Sequence, residues 1–191
     1  MPDLNIRILQ FDQVWEDKQK NFSKIKGLLH NQNDFDLLLL PEMFHTGFTM
    51  NHTTHSEQMT HSAGIDFLKS LSKELNCAIY TSLIIQENEY VFNRGVFIDK
   101  EGMTLYDKRK CFGLGGESES FTPGQNEVIV DFHGWKLNLQ ICYDLRFPEL
   151  IRNELNIDGV AKYDALLYVA NWPKKRIKHW ISLLKARAIE N

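Results

Sequence analysis

Leu139–Leu150 reads LQICYDLRFPEL. A strand-like apolar run ends on Cys142, and a Tyr-Asp-Leu-Arg turn then leads into Phe-Pro-Glu, a helix-opening signal. A strand that stops on a thiol has two readings, a packed core residue or a nucleophile. Free cysteine is among the most buried residue types. The choice therefore depends on what the other strands deliver to the same end of the sheet.

Working outward, Glu127–Phe132 and Trp135–Ile141 read as a hairpin around His133-Gly134 that carries Cys142 at its end. Phe147–Leu155 is predicted as a short helix, Asp164–Ala170 as a strand and Lys175–Glu190 as a last helix. On the N-terminal side, Asn5–Phe11 (NIRILQF) alternates apolar and polar as a strand does. Trp15, Phe22, Ile25, Leu28 and Leu29 follow at helical spacing. Asp36–Leu40 closes the run DFDLLLL, the pattern of a strand covered on both faces. Pro41 stops it and leaves Glu42 at its carboxyl end. Ile65, Leu68, Leu71 and Leu75 mark a second helix with Ser62 as its N-cap. Cys77–Ile85 and Val91–Ile98 read as strands paired across QENE, and DKEG turns the chain into MTLYDKR. Cys111–Gly124 is glycine-rich and polar, a long loop of the kind that often carries function. With no repeat, linker or low-complexity tract, residues 1–191 are expected to form a single mixed α/β domain with helices covering a sheet.

Composition narrows the partners. The chain is 43% hydrophobic and 25% charged, as in ordinary globular proteins. A net charge of −3 argues against a general nucleic-acid binder. The longest apolar run, DLLLLP, is far too short to span a membrane. The opening MPDLNIRILQF lacks a signal peptide's basic-then-apolar layout. Cys77, Cys111 and Cys142 cannot all pair within one chain, so free thiols in a reducing cytoplasm are expected.

Three polar residues stand where apolar strands run out: Glu42 after LLLLP, Lys108 after MTLYD and Cys142 after LNLQI. Ligands and catalysts of α/β sheets gather at the carboxyl ends of strands. A carboxylate, an ammonium and a thiol meeting there suit acyl transfer. The thiolate attacks a carbonyl, and the carboxylate moves the proton to the leaving amine. The ammonium and the backbone N–H after the nucleophile, that of Tyr143, steady the oxyanion. A helix opening at Phe147-Pro148 is expected to lower the thiol pKa if its N-terminus faces the sulfur.

At these residues the chain resembles the nitrilase superfamily of carbon–nitrogen hydrolases. LLLLPEMF, YDKRKCF and LQICYDLRFPEL resemble the glutamate, lysine and cysteine motifs of that family, in the family's order. The resemblance implies catalytic roles for Glu42, Lys108 and Cys142. GESESFTPG resembles the segment with a second, substrate-orienting glutamate, which falls on Glu117, with Glu119 the second choice. YVANWP resembles a pocket-lining stretch and implies that Asn171 and Trp172 face the substrate; Phe48 and Arg146 are further candidates for that lining. PEMFHTGFTMN, YDKRKCF, CYDLRFPEL, and ANWP followed by His179-Trp180 are most similar to the omega-amidase branch. That implies hydrolysis of the terminal amide of 2-oxoglutaramate or 2-oxosuccinamate through a thioester on Cys142, with release of ammonia and without metal or organic cofactor. The implied fold is an α-β-β-α sandwich, usually a homodimer joined through helices. Lys110-Cys111 replaces the His-Leu common in relatives, implying a different pocket polarity. Relatives also continue beyond ARAIEN into further strands. The fold is therefore expected to be incomplete at its C-terminus, with an unpaired edge that favours self-association.

Other readings stay open at this stage. A Cys-His hydrolase needs a histidine partner, and none of the seven falls in a recognisable motif. His45, His52, His55, Glu57 and His61 crowd one segment, but their spacing matches no zinc pattern. A non-catalytic binding or scaffolding relative with an inert Cys142 is the third. The three catalytic positions also serve nitrile and N-carbamoyl hydrolysis. For the substrate carboxylate, Arg109, Lys110, Lys174, Lys175 and Arg176 are candidates beside Arg146. Arg146 is favoured for its distance from Cys142 and for the bidentate geometry of arginine. The alternative for Arg146 is a structural ion pair with Asp144 or Glu149.

Overall fold

Leu37, Leu38, Leu39 and Leu40 are all buried in the computed structural model, which describes residues 2–191. Successive side chains of a strand point to opposite faces, and here the two faces meet different layers. Leu38 and Leu40 pack with Phe22, Ile25 and Leu29 of one helical segment and with Ile65, Leu68 and Leu71 of another. Leu37 and Leu39 pack with Leu137, Leu139, Ile141, Leu167 and Val169, which belong to a second sheet. One short apolar run thus joins a helix–sheet layer to a sheet–sheet layer.

The strands described form two sheets, one of five and one of three. The first has the order β1 (Ile6–Ile8), β2 (Leu37–Leu39), β3 (Ala78–Glu87), β4 (Tyr90–Ile98) and β5 (Met103–Asp107). β1, β2 and β3 are parallel; β3, β4 and β5 are antiparallel neighbours. The crossover after β1 carries α1 (Lys18–Leu28). The crossover after β2 carries the single turn α2 (His52–His55) and α3 (Ala63–Leu75). Asp17 caps α1 by accepting from the Lys20 N–H, and Ser62 caps α3 by accepting from the Ile65 N–H. Asn76 ends α3 in the left-handed conformation (φ 51°). Beyond β5 comes a helical turn, α4 (Glu117–Ser120). The second sheet follows, with β6 (Ile129–Phe132) antiparallel to β7 (Trp135–Ile141) and β8 (Ala165–Val169) parallel to β7.

The last helix, α5 (Ile177–Glu190), is held by a charged residue. Arg187 is buried, and its guanidinium donates to the Leu145 carbonyl at 3.1 and 2.9 Å. Ile177, Ile181 and Ile189 on the same helix are exposed, as are Ile6 and Ile8 on the edge strand β1. Among the described residues, no helix is long and apolar enough to cross a membrane.

The observed elements depart from the sequence expectation in several places. β1 and β2 are shorter than the apolar patterns around them, and Trp15 lies outside α1 and exposed. The expected helix over Phe147–Leu155 is only a 3-10 turn at Pro148–Leu150. Asparagines account for the difference, because their side chains compete for backbone groups. Asn153 Oδ1 accepts from the Lys162 and Tyr163 N–H groups, and Asn156 Oδ1 accepts from those of Asp158 and Val160. The Cys111–Gly124 loop contains a 3-10 turn at Gly113–Gly115 as well as α4, and Lys174–Arg176 forms a 3-10 turn before α5.

Leu38→Ala empties the helix–sheet layer at its centre. It is expected to lower stability by about 3 kcal/mol, the usual cost of truncating a buried leucine. Urea unfolding of the variant should show a lower midpoint at unchanged slope.

Candidate active site

The ends of β2, β5 and β7 converge on one buried cluster. Glu42 lies beyond β2 in a turn where Met43 has φ +48°. That turn is held at several points. The Met43 N–H donates to Ser82 Oγ at 3.0 Å, Gln13 Nε2 donates to the Met43 carbonyl at 2.9 Å, and Thr81 Oγ1 donates to the Pro41 carbonyl at 2.7 Å. Lys108 directly follows β5, and Glu117 opens α4. All three side chains are sealed from water, with Lys108 at 1% exposure and both carboxylates at 0%.

The ammonium sits between the carboxylates. Lys108 Nζ donates to Glu42 Oε1 at 2.8 Å and to Glu117 Oε1 and Oε2 at 2.9 and 2.8 Å. Asn93, inside β4, bridges the same pair through Nδ2, at 2.8 Å to Glu42 Oε1 and 3.0 Å to Glu117 Oε1. The second oxygens are also engaged. Glu42 Oε2 accepts from the Asn171 N–H at 2.9 Å, and Glu117 Oε2 accepts from the Phe112 N–H at 2.6 Å. Burial works against the charge on Lys108, but the facing carboxylates of Glu42 and Glu117 outweigh it and hold the lysine pKa well above its ordinary value. The lysine is a permanent cation at working pH.

Cys142 opens a 3-10 turn, Cys142–Arg146, at the end of β7. Its φ of +45° is in the left-handed region, which a non-glycine residue enters only under local constraint. The Sγ atom lies 4.0 Å from the carbonyl oxygen of Asn171, the residue whose N–H holds Glu42. Burial pushes the Cys142 pKa well up, the charge of Glu42 adds to this, and Lys108 opposes it. The sequence expectation of a thiol acidified by a helix at Phe147-Pro148 is therefore corrected. That helix is a three-residue turn, and burial together with the Glu42 charge keeps the sulfur a neutral thiol. Tyr143 follows within the same turn, so its backbone N–H is the one next after Cys142.

A pocket of about 70 Å³ opens onto Cys142. Phe48, Phe112, Tyr143 and Trp172 give it apolar walls, Asn171 lines it beside Cys142, and Arg146 and Arg176 supply charge. The Arg146 guanidinium stacks 5.8 Å from the Tyr143 ring and 5.3 Å from the Trp172 ring, with one nitrogen 3.1 Å from His179 Nδ1. The structural ion pair considered for Arg146 is not what forms. Asp144 directs its carboxylate to Tyr106, Ile141 and Lys110, and Glu149 is exposed. Arg109 donates to the Leu150 carbonyl at 2.9 Å, Lys110 lies over the Phe147 ring, and Lys174 and Lys175 are exposed. Glu119 is exposed, whereas Glu117 is buried in the cluster. Cys111 packs against Met43, Ile84 and Phe121.

Two histidines of the crowded segment go to different carboxylates, while His61 lies against the Thr60 hydroxyl and His52 against the Phe121 ring. Buried His45 lies 3.3 Å from Glu57, which also accepts from Lys18 at 2.6 Å and from the Ser62 hydroxyl. His55 lies 3.3 Å from Glu16 instead. Burial holds the His45 pKa below its ordinary value. The turn that carries Glu42 is thus held three residues on, at His45, by Glu57 through the ring and by Asn21 Nδ2, which donates to the His45 carbonyl at 2.9 Å. A wider cavity of about 630 Å³ lies among Asn76–Ala78, Asp99–Glu101 and His133, away from the thiol–carboxylate cluster.

Sequence reading missed Asn93, Asp144 and Phe112, whereas Arg176, one of its candidates for the substrate carboxylate, does line the pocket beside Arg146. Asn93 carried a faint signal, a polar residue inside the strand VFNRGVFI. The others act through contacts that no local pattern records.

Residues 5–191 match the family model described as carbon–nitrogen hydrolase. The chain is 38% identical to an omega-amidase, YafV, of Yersinia enterocolitica, covering 100% of this chain and 72% of that one. It is 32% identical to a 2-oxoglutaramate amidase of Bacillus subtilis, covering 97% and 72%. Among solved structures it superposes with a TM-score of 0.95 and 35% identity on XC1258 of Xanthomonas campestris, over 100% of this chain and 73% of the other. XC1258 is a CN-hydrolase superfamily protein with an arsenic adduct in its active site.

An acid with a raised pKa is protonated below it. Iodoacetamide alkylation of Cys142, followed by mass spectrometry of its peptide, is therefore expected to keep accelerating above pH 9. A plateau near pH 7 would contradict the buried, neutral thiol.

Proposed function

The chain belongs to the carbon–nitrogen hydrolase family and is an amide hydrolase, and within that activity we propose an omega-amidase. It removes the terminal amide nitrogen of a short 2-oxo acid amide, 2-oxoglutaramate or 2-oxosuccinamate, leaving ammonia and the dicarboxylate. The observation that carries the residue roles is the Glu42–Lys108–Glu117 cluster beside a neutral Cys142 thiol.

Cys142 Sγ attacks the amide carbon as Glu42 takes the thiol proton. The oxyanion is met by Lys108 Nζ and the Tyr143 N–H. Glu42 passes the proton to the nitrogen, the C–N bond breaks and ammonia leaves, with a thioester remaining on Cys142. Water then enters, Glu42 takes one of its protons, and the hydroxide oxygen attacks the thioester carbon. The C–S bond breaks, the acid departs, and the proton returns to sulfur. Glu117 holds Lys108 in place with two hydrogen bonds and orients the substrate amide. Nothing in this sequence requires a cofactor.

Arg146 binds the substrate carboxylate. Support comes from its place in the pocket and from stacking on Tyr143 and Trp172, which pre-orients the guanidinium. Phe48, Asn171 and Trp172 complete the pocket around the small substrate. The exposed apolar side chains of α5 support a homodimer built on helices. Three free thiols support a reducing cytoplasm. Hydrolysis of a nitrile or an N-carbamoyl compound is the alternative, since it needs the same nucleophile, base and oxyanion support.

Ammonia release should be clearly faster from 2-oxoglutaramate than from glutamine, asparagine or a simple nitrile. Preference for the nitrile would replace the reading. Glu42→Gln is expected to slow thioester formation by about 10³-fold, the scale of general acid–base catalysis, whereas a Cys-His enzyme would retain it. Intact-mass measurement of the acylated chain distinguishes the two. Arg146→Ala should raise KM for the oxo-acid amide about tenfold, the loss of one charge-assisted hydrogen bond. An equal rise for an uncharged amide would remove Arg146 from this role.

A further inference from the structure

We propose that Asp144 is a positioning residue whose carboxylate bolts the end of β7, which presents Cys142, to the end of β5, which presents Lys108. The inference rests on the roles given above to those two side chains. Asp144 is fully buried two residues after the nucleophile. Oδ2 accepts from the Ile141 N–H at 3.0 Å, one peptide before Cys142, and from the Tyr106 hydroxyl at 2.7 Å, two residues before Lys108. Oδ1 accepts from the Lys110 N–H at 2.8 Å, two residues after Lys108. One side chain thus grips the backbone on either side of a sheet–sheet gap, immediately flanking both reacting groups. β5 and β7 belong to different sheets, so no ladder of backbone hydrogen bonds fixes their separation.

The strained backbone needs such a grip. Cys142 sits at φ +45°, and a residue held there relaxes unless its surroundings over-determine it. The turn is tied from the far side as well, since Arg187 of α5 donates to the Leu145 carbonyl. Every partner of the Asp144 carboxylate is a donor. Protonation would set an O–H against an N–H or force the Tyr106 hydroxyl to turn, and one anchor would be lost.

The titratable groups acting on Asp144 from the surrounding elements are Tyr80 of β3, Tyr106 of β5, Lys108 and Cys111 beyond it and Tyr168 of β8; Arg109 reaches the Tyr106 hydroxyl and Arg187 of α5 the neighbouring Leu145 carbonyl. Burial dominates and raises the Asp144 pKa to about 6, against the charge of Lys108 and the hydrogen bonds from Tyr106, Ile141 and Lys110. The sign matters. A carboxyl whose folded pKa exceeds its unfolded value binds its proton more tightly when folded. Folding stability therefore falls as pH rises from about 4 to about 6. The ionised carboxylate costs the fold free energy at neutral pH, which fits a group kept for the site.

Two variants of the full chain test this. In Asp144→Asn, deuterium exchange at the Ile141 and Lys110 amides should quicken at least tenfold. The kcat on 2-oxoglutaramate should fall about 100-fold, the scale expected when reacting groups shift by an ångström, with KM changed less than threefold. In Tyr106→Phe, loss of a donor to the carboxylate should move the acid limb of kcat to higher pH. Unchanged exchange with kcat within twofold of wild type in Asp144→Asn would overturn the proposal, as would an unmoved acid limb in Tyr106→Phe. If Asp144→Asn does not fold, the Tyr106→Phe limb decides. If the wild-type chain releases no ammonia, the functional reading fails, while amide exchange at Ile141 and Lys110 in Asp144→Asn still decides whether the carboxylate bolts the two strand ends.

Discussion

One ammonium held between two carboxylates, out of reach of water, is the interaction on which the rest depends. Lys108 at 1% exposure is bonded to Glu42 and Glu117, both at 0%. Burying such a group is costly, and removing one member leaves an uncompensated charge. The fold offsets that cost with further donors: Asn93 to both carboxylates, the Asn171 N–H to one and the Phe112 N–H to the other. The cluster therefore draws in the end of β2, the middle of β4, the end of β5, the start of α4 and the segment after β8. Its excess negative charge helps keep the adjacent sulfur protonated until a substrate arrives.

Around this centre, two buried carboxylates outside it act as mechanical parts. Glu57 gathers Lys18, His45 and Ser62 and steadies the turn that carries Glu42. Asp144 does the same between the nucleophile turn and the lysine strand. Both are satisfied by several donors, as a buried polar group must be. Sheet hydrogen bonds link the strand ends that carry Glu42 and Lys108, whereas the distance from these to Cys142, in the other sheet, is held by side chains.

Much of this was legible in the sequence where a local pattern carries it. The double-sided run at Leu37–Leu40, the Ser62 cap and the hairpin at His133-Gly134 each follow from residue types at fixed offsets, and they appear in the fold. Glu42, Lys108 and Cys142 stood out because each ends an apolar strand. Glu117 was found through the likeness of its loop to a family segment, with no help from periodicity. Asn93 and Asp144 escaped because key partners are remote in sequence; Asn93 reaches back 51 positions to Glu42 and Asp144 reaches back 38 to Tyr106. The helix expected after Phe147 failed for the opposite reason. Its pattern was local, but asparagine side chains nearby offered the backbone a better partner. The acidity of the thiol is not legible in the sequence, because burial and the facing carboxylate are tertiary facts.

The left-handed backbone at Cys142 has an evolutionary corollary. Cysteine and serine carry one heavy substituent on Cβ and fit such a conformation at modest cost. Threonine offers comparable hydroxyl chemistry, but its branched Cβ makes it a true outlier there. The elbow thus screens would-be nucleophiles by shape before chemistry is consulted, and it narrows the alphabet that drift can try at this position.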